Sequence, residues 1–170
     1  ATKAKSALRK FGDHYVLIGP DLQHEGTNPE FEEDATLLRA WRQSVYEMGI
    51  RIRVGRWKIH GKPIAILIDF TSLFPKKDEI LKQLWDQYHV DSISGQWDYV
   101  EPVLFGWAAG QVIASYVDSF CTAADKVAAH FHEWMTVAGG LYLRSNAPYI
   151  ATLFSTHATV MGRCIAGNRL

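Results

Sequence analysis

Residues 126–166 read KVAAHFHEWMTVAGGLYLRSNAPYIATLFSTHATVMGRCIA. Lys126 to His132 is a short apolar run of strand length, and Trp134 to Leu143 carries helix-forming residues with no proline. Tyr149 to Thr156 is again strand-like, rich in β-branched and aromatic residues, and a helix is expected from Thr159 onward. Strands that alternate with helices through short links cannot pair as hairpins. They form a mainly parallel sheet with helices packed on both faces, so the stretch predicts an α/β, doubly wound fold.

The same alternation extends towards the amino terminus. Ala4, Leu8 and Phe11 recur at helical spacing before Gly12, and His14 to Gly19 (HYVLIG) reads as a buried strand ended by Pro20. A helix is expected from about Pro29 to Met48, with Phe31, Leu38, Trp41, Val45 and Met48 as its apolar stripe. Glu30, Glu32, Glu33 and Asp34 would then sit at its positive end as a solvated face. Ile50 to Trp57 (IRIRVGRW) alternates apolar and basic residues as a half-buried strand does. Pro63 to Phe70, with IAILI at its centre, reads as a fully buried one. Helices follow at Lys77 to Tyr88 and at about Asp98 to Phe120. The second contains Gly106-x-x-x-Gly110, which predicts close approach of that helix to the sheet. The helix at 1–11 has no capping residue and no element before it, and the helix from 159 has no packing partner in the sequence, so residues 1–170 are expected to be one domain cut at both ends.

Composition narrows the function classes. Eighteen basic and eighteen acidic side chains leave no net charge, against a protein that coats nucleic acid, and the Arg51, Arg53, Arg56 stripe has no basic continuation. Pro102 to Val117, the longest uncharged apolar stretch, is too short for a bilayer and is interrupted by Gln111 and Ser115. Residues 1–10 lack the apolar centre of a signal peptide. Two cysteines, Cys121 and Cys164, read as buried thiols in a reducing compartment, and the expected location is cytoplasmic.

Open parallel sheets bind ligands at the carboxyl ends of their strands. The residues leaving the strands are Gly19-Pro20-Asp21, Asp69-Phe70-Thr71, His132-Glu133-Trp134 and Ser155-Thr156-His157, with Arg163 a turn further on. Histidines, carboxylates, hydroxyls and an arginine on one edge suit a hydroxyl-rich, anionic ligand. His130 and His132 share a strand face as metal ligands can, but no cysteine or third histidine lies close in sequence and His132-Glu133-Trp134-Met135-Thr136 is not H-E-x-x-H, so no metal is expected. The G-x-G-x-x-G fingerprint, the Walker A loop and the G-x-S-x-G elbow are absent, which weighs against a nucleotide-binding oxidoreductase half.

Four segments together are similar to the glycogen synthases of the fungal and animal branch, in a bacterial-looking version: His14 to Asp21 (HYVLIGPD), Gly55-Arg56-Trp57, Ala129 to Trp134 (AHFHEW) and Phe154 to Arg163 (FSTHATVMGR). AHFHEW about twenty residues ahead of THATVMGR is the specific part, and the resemblance covers essentially the whole chain. It implies a Rossmann-like amino-terminal lobe, on the acceptor side, of a two-Rossmann (GT-B) retaining glycosyltransferase. Such an enzyme would transfer glucose from UDP-glucose or ADP-glucose to the 4-hydroxyl at the non-reducing end of an α-1,4-glucan.

By the same resemblance, His157 is the catalytic histidine, stabilising the cationic transition state through its carbonyl and ring, and Arg163 meets the donor diphosphate. His132, Glu133 and Thr156 are expected to bind sugar hydroxyls, and Trp97, Asp98 and Tyr99 to stack on or hydrogen-bond sugar. The nucleotide sugar is a substrate, and neither a cofactor nor a metal is implied. The family's lysine-x-glycine-glycine loop and its carboxy-terminal lobe are not in the chain, so the fragment alone is expected to be inactive. An oligomer remains open. The competing reading is a non-catalytic glucan-binding or regulatory domain on the same fold.

Overall fold

The computed structural model describes residues 2–22, 29–157, 165 and 167. They form two compact units, Ala1–Pro75 and Lys76–Leu170. Both are mixed α/β and contain parallel strand pairs, consistent with a Rossmann-like fold.

In the first unit, α1 (Thr2–Phe11) and a 3-10 turn (Gly12–His14) lead into β1 (Val16–Pro20). Then come β2 (Phe31–Glu33), α2 (Arg39–Glu47), β3 (Arg51–Trp57), β4 (Ile64–Asp69) and a 3-10 turn at Thr71–Lys76. The sheet order is β1-β4-β3-β2. β1 runs parallel to β4, whereas β3 is antiparallel to both β4 and β2. This sheet is therefore mixed, not mainly parallel. The reason lies in the short link His60-Gly61-Lys62, where Gly61 takes φ +88° and Lys62 φ +42°. So short a link makes a hairpin and leaves no room for a crossover.

The expected helix over 29–48 is divided. Its first turn is β2, which pairs Phe31 with Trp57 and Glu33 with Gly55. Phe31 packs on Trp57 with ring centroids 6.2 Å apart, and the Arg53 guanidinium lies 5.4 Å from the Phe31 ring. Gly55 permits the pairing, because a Cβ there would lie 2.1 Å from the Glu32 carbonyl oxygen. The acidic run therefore serves the strand and not a helix terminus. Glu33 bonds Arg53 at 2.8 Å and Arg42 at 3.3 Å. The basic stripe of β3 is matched in the same way, Arg56 donating to both carboxylate oxygens of Asp13 at 2.8 and 2.9 Å.

The second unit holds α3 (Lys77–Tyr88), α4 (Trp97–Phe120), β5 (Ala128–His132), a 3-10 turn (Trp134–Thr136), α5 (Val137–Asn146) and β6 (Ala151–Ser155). β5 and β6 are parallel, with His132 opposite Ser155. Ala129 and Phe131 point into a core with Val117, Leu143, Ala147 and Ile150. The helix expected from Thr159, and with it Cys164, lies outside the described residues apart from positions 165 and 167. Cys121 is a half-buried free thiol. No helix among the described residues is long and apolar enough to cross a membrane.

Gly106 and Gly110 let α4 approach another helix and not a sheet. A Cβ on Gly106 would meet Ala138 and Gly139 at 3.3 Å, and one on Gly110 would meet Tyr142 at 2.8 Å. From the other side, a Cβ on Gly139 would sit 2.5 Å from the Gly106 carbonyl oxygen and 2.7 Å from the Phe131 ring. This contact fixes α5, and hence the end of β5 that precedes it.

Alanine at either Gly139 or Gly140 gains about 1 kcal/mol of helix propensity. At Gly140 the new methyl meets only the Phe131 ring at 3.4 Å, whereas at Gly139 it meets backbone. Gly139→Ala is expected to destabilise by about 1–3 kcal/mol in urea melts and Gly140→Ala to be neutral or stabilising; equal midpoints would refute a backbone-limited approach. A second expectation concerns pH. The Arg56 guanidinium holds the Asp13 carboxyl below its ordinary range. The pair therefore adds stability above the usual aspartate pKa and loses it as pH falls through the lowered one. Asp13→Asn should remove that part of the acid dependence, read as the difference in melting temperature between pH 7 and pH 3.

Candidate active site

The carboxyl ends of β5 and β6 lie side by side, and the site grows from their parallel register. In β5 the buried residues alternate with His130 and His132, whose rings stack at 4.1 Å between centroids. The His130 Nε2 and the Ser155 hydroxyl are 2.8 Å apart, a bond across the two strands. His132 in turn lies parallel to the His157 ring, at 6.0 Å and 6°. A ladder of imidazoles, His130–His132–His157, thus runs along the edge of the two strands.

Glu133 sits where the chain leaves β5, at φ 64° and ψ 161°. That region is almost reserved for glycine, and a side chain there costs on the order of 1–3 kcal/mol. The conformation is held by bonds at every polar group of the residue. Its N–H donates to the Ser155 carbonyl at 2.8 Å, extending the parallel ladder by one rung, and its carbonyl accepts from the Thr136 hydroxyl at 3.1 Å. The same hydroxyl also bonds the His132 carbonyl at 2.9 Å. The Glu133 carboxylate reaches over to the other strand. Oε1 accepts the His157 backbone N–H at 2.8 Å and Oε2 accepts the Thr156 hydroxyl at 3.1 Å. Glu133 is therefore a clamp on the Thr156 hydroxyl and the His157 backbone N–H.

Trp134, next in the chain, is half exposed and stacks on Tyr99 with centroids 6.0 Å apart and planes 3° from parallel. This contact joins the amino-terminal turn of α4 to the β5 edge. Trp97 and Asp98 stand in that same turn with exposed side chains.

The second unit thus brings together His132, Glu133, Thr156 and His157, and links Tyr99 to them through Trp134. Arg163 lies outside the described residues. Asp21, Asp69 and Thr71 belong to the first unit. There Asp21 is buried and paired with Arg53 at 3.4 Å, while Asp69 accepts the Thr71 N–H and hydroxyl at 3.1 and 2.6 Å. Sequence analysis weighed His130 only as a metal ligand and assigned Trp134, named among the residues leaving its strand, no role; the period-two spacing of His130 and His132 was the one signal for the first, and the motif the one signal for the second. Among the described residues no group of three histidine, cysteine, aspartate or glutamate side chains is placed to hold a metal ion.

Chemically, this edge offers imidazole nitrogens, an aromatic face and a backbone segment whose orientation is fixed by a carboxylate. It fits a neutral, hydroxyl-rich ring better than a polyanion.

Comparison with known proteins agrees with that chemistry. The glycogen synthase family model matches residues 1–169. A glycogen [starch] synthase of Neurospora crassa is 32% identical over 166 residues, covering 95% of this chain and 23% of that protein. A glycogen [starch] synthase of Caenorhabditis elegans is 30% identical over 170 residues, covering 98% and 25%. The liver glycogen [starch] synthase of Mus musculus is 30% identical over 165 residues, covering 95% and 23%. The chain therefore spans about a quarter of the length of these relatives. With the match running from end to end and the site residues on its two parallel strands, the chain belongs to the glycogen synthase family.

Proposed function

We propose that the complete protein carrying this chain is a retaining glucosyltransferase of the two-Rossmann type. It transfers glucose from UDP-glucose or ADP-glucose to the 4-hydroxyl of a non-reducing α-1,4-glucan end, in the cytoplasm. The chain supplies the acceptor-side lobe, and sequence outside residues 1–170 supplies the nucleotide pocket. The observation that carries this reading is the Glu133 clamp on His157, at the carboxyl edge of parallel strands in a glycogen synthase family member.

The roles follow from that clamp. With its N–H tied to Glu133, the Thr156–His157 peptide has one orientation, which holds the His157 Cα in place so that its ring faces the transferred glucose without reorganising as positive charge develops. Arg163, six residues on, meets the diphosphate as negative charge builds on the leaving group. His132 and the Thr156 hydroxyl bind sugar hydroxyls, and the turn holding Trp97, Asp98 and Tyr99 extends the acceptor surface, with Trp134 as an apolar face. The reaction needs no metal or cofactor in this scheme, since guanidinium and backbone dipoles stabilise the separating charges.

Two measurements test the reading. The complete protein should incorporate radiolabelled glucose into glycogen from one of the two donors, and the 170-residue chain alone should not. A folded complete protein inert with both donors would leave glucan binding without transfer as the function. His157→Ala should lower kcat by a factor of a hundred or more, about 3 kcal/mol of transition-state stabilisation, with the melting temperature retained. Glu133→Gln keeps the size but loses one of the two acceptor oxygens. It should reduce kcat roughly ten- to a hundredfold, the worth of a hydrogen bond to a charged group at about 1.5–3 kcal/mol, with a smaller change in glucan KM. A rise in KM alone would mean that Glu133 contacts sugar instead of His157.

A further inference from the structure

The first unit carries a cavity of about 750 Å³ that the proposed transfer reaction does not use. Two cationic stripes line it. On α2, Arg39, Arg42, Gln43 and Tyr46 follow one another at i, i+3, i+4 and i+7, a single helix face. On β3, Arg51 and Arg53 are two residues apart and so share a strand face.

Opposed stripes of like charge repel unless something neutralises them. The protein does this for half of the set. Arg53 pairs with Glu33 and Asp21, and Arg42 with Glu33. Arg39 and Arg51 have no ion-pair partner among the described residues, although both line the same cavity from opposite elements. Asp69 and Thr71 complete the wall, with the Thr71 hydroxyl already bonded to Asp69. The volume is within the range of small-molecule sites. Guanidinium groups match the oxygen geometry of phosphate, and two of them from facing elements hold a dianion better than a monoanion.

We propose that this cavity is a binding site for a phosphoanion, with its phosphate group held between Arg39 on α2 and Arg51 on β3. Arg42 and Arg53, neutralised by Glu33 and Asp21, frame the site without adding net charge. Every residue that lines the cavity belongs to the first unit.

Arginine footprinting by phenylglyoxal and peptide mass spectrometry reads each guanidinium separately, so a phosphate bound elsewhere in the complete protein does not confuse the result. Inorganic phosphate or pyrophosphate at millimolar concentration should slow modification of Arg39 and Arg51 at least fivefold relative to chloride of equal ionic strength. Arg9 and Arg144, exposed on α1 and α5, should be unaffected. In the Arg39→Ala protein the protection of Arg51 should disappear. No selective protection, equal protection by citrate, or protection of Arg51 that survives Arg39→Ala would overturn the proposal.

Discussion

The bond from the His157 N–H to the Glu133 carboxylate is the constraint on which the candidate site depends. It spans 24 residues of sequence and closes the gap between two strands that would otherwise share only a ladder ending at Ser155. Glu133 can make it because its backbone takes a conformation that L-residues avoid. That strain of a few kcal/mol is offset locally by the bonds to Ser155, Thr136 and Thr156. Behind this turn stands the glycine contact between α4 and α5. Without the close approach of Gly106 and Gly139, α5 would move away and the turn before it would lose its anchor at Thr136.

The first unit is organised by charge as much as by burial. Arg53 and Arg56 project from a strand whose neighbours contribute Glu33, Asp21 and Asp13. The partners come from β2, the end of β1 and the turn after α1, so these ion pairs fix the order in which the segments meet. Apart from buried Asp21 the carboxylates are exposed, and those pairs are worth little in stability. Their stronger effect is on specificity: they separate the arginines that are neutralised within the fold from Arg39 and Arg51, which are not.

Much of this was legible in the sequence because periodicity reports burial. The alternation in β3, the continuous apolar run of β4 and the strand–helix–strand order after residue 126 all come through at nearly the expected boundaries. Phe31–Glu33 was misread for an identifiable reason. Phe31 lies on the same 3.6-residue stripe as Leu38, Trp41 and Val45, and a proline followed by acids is also how a helix begins. Only Gly55, distant in sequence, makes β2 possible. The mixed sheet escaped similarly, since a hairpin at His60-Gly61-Lys62 and a crossover start from the same turn residues. At the site, the residue types were legible but their relations were not. A positive φ at a glutamate carries no composition signal, and nothing local shows that its carboxylate bonds a backbone amide on the next strand.

The account rests on Glu133 fixing the His157 peptide, and amide hydrogen exchange at His157 tests that most directly. In the complete protein, single-residue exchange should find this amide protected, although its side chain is exposed, and Glu133→Ala should release it while Phe131 stays protected within β5. An unprotected His157 amide in the unaltered protein, or equal protection after Glu133→Ala, would contradict the clamp.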